Sequence, residues 1–132
     1  MRNILNNVKV SILMPVKNAD SFLNDCIQSI IQQSFKDWEL IAIDDNSADD
    51  SFRILTEFMK KDDRILVQKI NGDGIIDALQ QAFELSKGRF IHRMDADDLM
   101  PENKLHDLSC KANEDEKTVW TGNVKYFADS EV

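Results

Sequence analysis

Apolar and polar positions along this chain fall into short blocks of two alternating kinds. Val8-Lys-Val-Ser-Ile-Leu-Met14 is a β-type run, and Pro15 is expected to close it. Asp20 or Ser21 then reads as a helix N-cap, followed by Phe22, Leu23, Cys26, Ile27, Ile30 and Ile31 at helical spacing. Trp38 to Ile43 is apolar almost throughout, as a strand buried on both faces should be. It runs into Asp44-Asp-Asn-Ser-Ala-Asp-Asp50. A second helix follows, with Phe52, Leu55, Phe58 and Met59 inward. Arg64 to Gln68 is a third strand and Asn71-Gly-Asp-Gly74 a turn. Ile75 to Ser86 is a third helix with Ile76, Leu79, Ala82, Phe83 and Leu85 apolar, stopped by Gly88. Arg89 to Met94 is a fourth strand ending in Asp95-Ala-Asp-Asp98. Pro101 fits the first turn of a fourth helix, and Thr118 to Phe127 is strand-like.

The order β-α-β-α-β-α-β-α-β predicts an α/β fold with a mostly parallel sheet and right-handed crossovers. Ligands of such sheets bind beyond the carboxyl ends of the strands. Both dense Asp clusters come just after a strand, on that edge.

Composition sharpens this. The chain has 132 residues, a formal charge of −8, and 17 Asp among its 24 acids. Asp favours caps, turns and sites over helix faces, so the acidity is not simply a solvated helix surface. The length fits a single domain with a real core. A net negative field disfavours bulk nucleic acid. No apolar run reaches the roughly 18 residues of a membrane span, and the N-terminus carries no apolar signal-peptide core. Cys26 and Cys110 lack zinc-ligand spacing and read as reduced thiols; His92 and His106 lie apart from them.

The acids are the candidate chemistry. In an extended segment, Asp95 and Asp97 point to one side. With Asp98 they would repel one another, and a divalent cation, Mn²⁺ or Mg²⁺, is the simplest compensation. The bland alternative is a polar loop capping the next helix, which suits Asp98. Arg93 is placed to pair with a carboxylate or reach a phosphate. A carboxylate of the Asp44-Asp45 pair can accept from a base N–H or a ribose hydroxyl, while Ser47 or Asp49 caps the next helix. Asn71 to Gly74 is no dinucleotide fingerprint or P-loop and reads as a tight turn.

Taken together, Val10-Ser-Ile-Leu-Met-Pro-Val-Lys-Asn-Ala19, Ile43-Asp-Asp-Asn-Ser47 and Arg93-Met-Asp-Ala-Asp-Asp98 with Pro101 resemble family 2 glycosyltransferases of the GT-A fold, over nearly the whole chain. The resemblance implies a Rossmann-like, GT-A type domain. It implies an inverting enzyme that moves a sugar from a nucleotide diphosphate donor, a UDP-sugar by preference, to an acceptor hydroxyl on a saccharide or lipid-linked saccharide. By the same match, Asp95-Ala-Asp97 looks like the family's DxD motif. Asp97 would hold the metal and Asp95 the metal or the ribose. Asp45, and Asp44 with it, would bind base and ribose. Pro15 and its neighbours Val16 and Asn18 would line the donor pocket, with Arg93 beside it. The expected setting is polysaccharide biosynthesis in the cytoplasm, with peripheral contact at the inner membrane face in a longer protein.

Two departures shape the expectation. Lys17 stands where many members have an aromatic residue able to stack on the base; its aliphatic stem can still cover a ring. An inverting transferase also needs a general base, which in the family comes well after the DxD motif. Residues 1–100 are therefore expected to be the donor-binding half. Residues 101–132 would start an acceptor half, incomplete and truncated before the acceptor-binding part, with weak or no transfer activity alone. The competing readings are a phospho-receiver domain, whose acidic pair should follow the first strand rather than the second, and a non-catalytic nucleotide-binding module.

Overall fold

The computed structural model describes residues 9–114. Eight elements alternate: β1 (Val10–Val16), α1 (Asp20–Ile31), β2 (Trp38–Asp45), α2 (Ser51–Lys61), β3 (Ile65–Ile70), α3 (Ile75–Leu85), β4 (Phe90–Arg93) and α4 (Lys104–Glu114). The strands form one sheet in the order β3-β2-β1-β4, with every neighbouring pair parallel. The strand expected at Thr118 to Phe127 lies outside the described residues.

Residue parity along the two central strands decides which helix each side chain meets. Val10, Ile12, Met14, Val16, Leu40 and Ala42 face one way, into a core completed by α1, α2 and Leu105 of α4. Leu13, Ile41 and Ile43 face the other way, onto α3. All eight positions of β2 are buried, which accounts for the apolar run from Leu40 to Ile43. Along α1 the buried stripe is Leu23, Cys26, Ile27 and Ile30. Phe22 is left 52% exposed, because Leu23, about 100° further round the helix, takes the inward direction.

Four sequence expectations change. Pro15 does not end β1, which continues to Val16. Phe90 N–H donates to Lys9 O and Met94 N–H to Leu13 O, so odd-numbered residues of β1 turn their backbone toward β4. Pro15 is the next in that series and lies past the last residue of β4, where a missing N–H forfeits no ladder bond. On α3 the inward residues are the small ones, Ala78 and Ala82, while Ile76 and Phe83 are 75% and 59% exposed. The helix seats its narrow face on β1 and β2, and its large apolar groups fall to the sides. Pro101 precedes α4 by three residues, and its carbonyl accepts from Lys104 N–H in the turn that starts the helix.

Gly88 is the fourth. It does not stop α3, which ends at Leu85 with Ser86 extended. It lies against β1 instead. Its N–H donates to Ser11 Oγ at 2.7 Å, and that hydroxyl donates to Glu39 Oε2 at 2.6 Å. Glu39 also accepts from Lys87 N–H at 2.6 Å. A Cβ at position 88 would lie 2.6 Å from Ser11 N and nearer still to its Oγ.

Two expectations follow. Gly88→Ala should destabilise the chain by about 1–3 kcal/mol, the usual cost of overpacking, and lower the melting temperature by several degrees in calorimetry; an unchanged melting temperature would contradict the close approach. His92, opposite Ile12 on β4, has its imidazole pushed down to about 4 by desolvation and by Lys104. A base whose folded pKa is depressed stabilises the fold while neutral and loses that contribution as pH falls from about 6.5 to about 4. An NMR titration of the His92 ring should show its midpoint near pH 4, not near the free value.

Candidate functional site

The chain runs from β1 to β2 to β3 on one side, then crosses to β4 on the other side of β1. The loops after β1 and β4 thus flank the point where strand order reverses, the usual place for a ligand in such sheets. With strands about 4.8 Å apart, the ends of β2 and β4 stand about 10 Å from each other, with the end of β1 between them.

The loops after β1 and β2 are tied together. Asn18 and Asn46 both take left-handed conformations, at φ 50° and 53°. Asn18 N–H donates to Ser47 Oγ at 2.9 Å, and Asn18 Oδ1 accepts from Ala48 N–H at 2.7 Å. The N-cap of α1 is Ala19, which has no capping side chain. The second loop supplies one: Asp49 accepts from Asp20 N–H and Ser51 N–H, and Ser51 Oγ accepts from Ala19 N–H. Asp20 returns the favour by accepting from Asp50 N–H at 3.3 Å. Desolvation pushes the Asp49 carboxyl up, but the hydrogen bonds from Ser51 and Asp20 outweigh it and hold the group below its ordinary value.

The neighbouring acids Asp44 and Asp45 part ways by parity. Asp44 pairs with Val16 and is fully buried. Its two oxygens accept from Ser47, Oγ at 2.6 Å and N–H at 3.1 Å. These bonds make Asp44 the residue that shapes the loop on which Asn18 leans. The side chain of Val16 lies in the α1-side core. Asp45 continues the series Ile41, Ile43 toward α3. Its Oδ2 accepts from Gly74 N–H at 3.2 Å, while its Oδ1 is buried without a partner. Pro15, partly exposed, pairs with Ile43 on the same side of the sheet.

Across β1 lies the acidic loop. Asp95, Asp97 and Asp98 each offer an oxygen within 4.8 Å of the others. An extended segment would gather only Asp95 and Asp97. A turn closed by Asp98 N–H donating to Asp95 O at 3.1 Å brings in the third. Met94 and Ala96 anchor the loop in the core. Arg93 pairs with Asp95 at 3.2 Å, both about half exposed. Burial, then Asp95 and Asp97, push the Asp98 carboxyl up. Cys26 lies behind the loop, its thiol pushed up to about 12 by burial and then by Asp98, Asp97 and Asp95; its S–H donates to Asp95 O at 3.7 Å. Three clustered hard oxygen donors, with Arg93 and Lys104 as cationic neighbours, suit Mn²⁺ or Mg²⁺.

Several residues here escape a reading by composition. Gly74 reads as a plain turn glycine, yet at φ 102° it aims its N–H at Asp45. Gln33 is fully buried. The signal for it was present: it stands seven residues after Cys26 and three after Ile30, on the inward line of α1. A polar side chain there must have partners.

The chain is similar to known proteins in sequence and in fold. The family model described as Glycosyl transferase family 2 matches residues 11–132. Glycosyltransferase GlyG of Streptococcus pneumoniae serotype 4 is 30% identical over 123 residues, which cover 92% of this chain and 41% of GlyG. The structure of Staphylococcus aureus TarS 1–349 in complex with UDP superposes with a TM-score of 0.75 at 23% identity, covering 82% of this chain and 33% of that one. A mannosyltransferase from Pyrobaculum calidifontis in complex with GDP-Man and Mn²⁺ superposes at 0.64 and 19% identity, covering 70% and 28%. The chain thus spans less than half the length of each.

Ser47→Ala removes a donor from a buried carboxylate and an acceptor from Asn18 N–H. It should cost about 1–3 kcal/mol in urea unfolding; a loss below about 0.5 kcal/mol would mean the loops are not locked through this hydroxyl.

Proposed function

Because this chain belongs to glycosyl transferase family 2 and has its GT-A fold, we propose that it binds a nucleotide diphosphate sugar across the end of β1, and that the enzyme transfers the sugar to an acceptor hydroxyl with inversion. The carrying observation is the pairing of an open buried acceptor, Asp45 Oδ1, with a cluster of three carboxylates on the other side of β1.

Each end suits one part of the donor. Asp45 Oδ1 takes an N–H of the base, and Pro15 offers an apolar surface beside it. Because Gly74 N–H already engages Oδ2, a base with one imide N–H fits better than guanine, which presents two adjacent donors. This favours a UDP-sugar. Asp97 and Asp95, with Asp98, would hold Mn²⁺ or Mg²⁺. Arg93 holds Asp95 in place and adds positive charge near the diphosphate. A cation held there would supply positive charge to offset that developing on the leaving diphosphate. Asn18 serves the pocket indirectly, through Ala48 and Ser47.

Residues 1–100 form the donor half in this reading, and 101–132 begin the acceptor half. No described residue is assigned as general base. A saccharide or lipid-linked saccharide is the acceptor class. No described helix is long and apolar enough to cross a membrane, in keeping with a cytoplasmic enzyme acting at the inner membrane face. The phospho-receiver reading gives way to the family assignment, and Asp44, the first acid of the pair, has both oxygens committed to Ser47.

Calorimetry with UDP and GDP, each with and without Mn²⁺, tests the reading. UDP should bind more tightly than GDP, and more tightly with Mn²⁺. Asp97→Ala should abolish the metal-dependent part. Asp45→Ala should weaken UDP with and without metal. Binding that ignores Mn²⁺ and persists in Asp97→Ala would sink the proposal.

A further inference from the structure

The acidic loop is held from behind by one stripe of α1 and the residues just after it. Cys26, Ser29 and Gln33 recur at three- and four-residue steps, so they line up on a single face. Cys26 Sγ donates to Asp95 O at 3.7 Å. Ser29 Oγ accepts from Met100 N–H at 3.0 Å while donating to Cys26 O at 2.6 Å. Gln33 does most. Its Nε2 donates to Pro101 O at 2.6 Å, and to Met100 O and Ser29 O at 3.3 Å each. Its Oε1 accepts from Leu105 N–H at 3.1 Å, in the first turn of α4. Ser34 adds N–H to Glu102 O at 2.9 Å and Oγ to Asn103 Oδ1 at 2.6 Å. Every one of these bonds to the loop reaches a backbone atom, except that from Ser34 to Asn103. The backbone at Asp95, and again at Met100, Pro101 and Leu105, is thus tied to α1 and the residues just after it, while the side chains of the three acids take no part in these bonds.

We propose that Cys26, Ser29 and Gln33 are positioning residues for the cation site: they fix the loop from Asp95 to Leu105 so that Asp95, Asp97 and Asp98 converge before any cation arrives. The proposal rests on the donor-site reading above. Without the stripe, mutual repulsion of three carboxylates would spread the loop, and a cation would have to regather it on binding. Supports of this kind behind a metal ligand set typically change metal affinity 10–100-fold when removed.

The test separates positioning from stability. Ser29→Ala removes one support gently; Ser29→Thr keeps the hydroxyl; Gln33→Leu removes the main clamp. Phe58→Leu, in α2, serves as a control matched for lost stability. Mn²⁺ affinity is measured by electron paramagnetic resonance, with Mn²⁺ alone and with saturating UDP. Amide exchange of Met100 and Leu105 is followed by NMR without metal. Ser29→Ala and Gln33→Leu should bind Mn²⁺ at least tenfold more weakly and exchange those amides faster. Ser29→Thr and Phe58→Leu should match wild type in affinity. If the folded Ser29→Ala and Gln33→Leu variants bind Mn²⁺ as wild type does, while Asp97→Ala does not, the positioning role fails and the donor site stands. If Phe58→Leu loses affinity as much as they do, the effect is one of general stability and the positioning role also fails. If wild type binds no Mn²⁺ with or without UDP, both fail.

Discussion

A carboxylate taken out of water must be given hydrogen-bond donors, and this requirement organises the whole working edge of the sheet. Leaving a buried polar group unmet costs about 1–3 kcal/mol, and more when it is charged, which is a large share of a small domain's stability. The chain gathers acids at the ends of β2 and β4, and each one needed for architecture is answered. Asp44 takes the hydroxyl and N–H of Ser47. Asp49 takes the N–H groups of Asp20 and Ser51. Asp45 Oδ1 is buried without a partner, while the three carboxylates of the acidic loop lie exposed, Asp95 paired with Arg93. In the proposed reading, these acids, outside the architectural bonds, are the ones that meet the donor and its cation.

Helix α1 carries both halves of this arrangement. Its first turn is capped from the loop after β2, through Asp49 and Ser51. Its far end and the residues just after it grip the loop after β4, through Ser29 and Gln33. Two segments that are distant in sequence thereby share one rigid reference. Single hydrogen bonds contribute only about 1 kcal/mol each, and two unit charges 4 Å apart repel by about 1 to 4 kcal/mol between bulk water and a protein surface. One tether would be marginal against such repulsion; several acting on the same stretch of backbone are not.

The alternation of strands and helices was legible because period-2 and period-3.6 patterns follow directly from backbone geometry. Elements β1 to α4 appear where the pattern put them, within a few residues. The acidic clusters were legible as a site because they follow strands. What failed to show was anything that depends on parity at a strand end or on approach between distant segments. Asp44 and Asp45 are the same residue type side by side, yet one position of strand register sends them to opposite faces. Gly88 looked like a helix stop and is a contact with Ser11. Ile76 and Phe83 looked like core because apolar residues at helical spacing normally are, but Ala78 and Ala82 won the sheet. Asp95 to Asp98 looked extended and form a turn.

The outward lie of Ile76 and Phe83 on α3 has a colloidal consequence. Ile75 is exposed in the same helix, and Ile91 on β4. Molecules carrying such surface would coalesce if nothing kept them apart, and here the net charge of −8 does so. That repulsion reaches about 10 Å at 0.1 M salt and only about 3 Å at 1 M. The acids gathered at the strand ends thus also add to that repulsion, and raising the ionic strength weakens it.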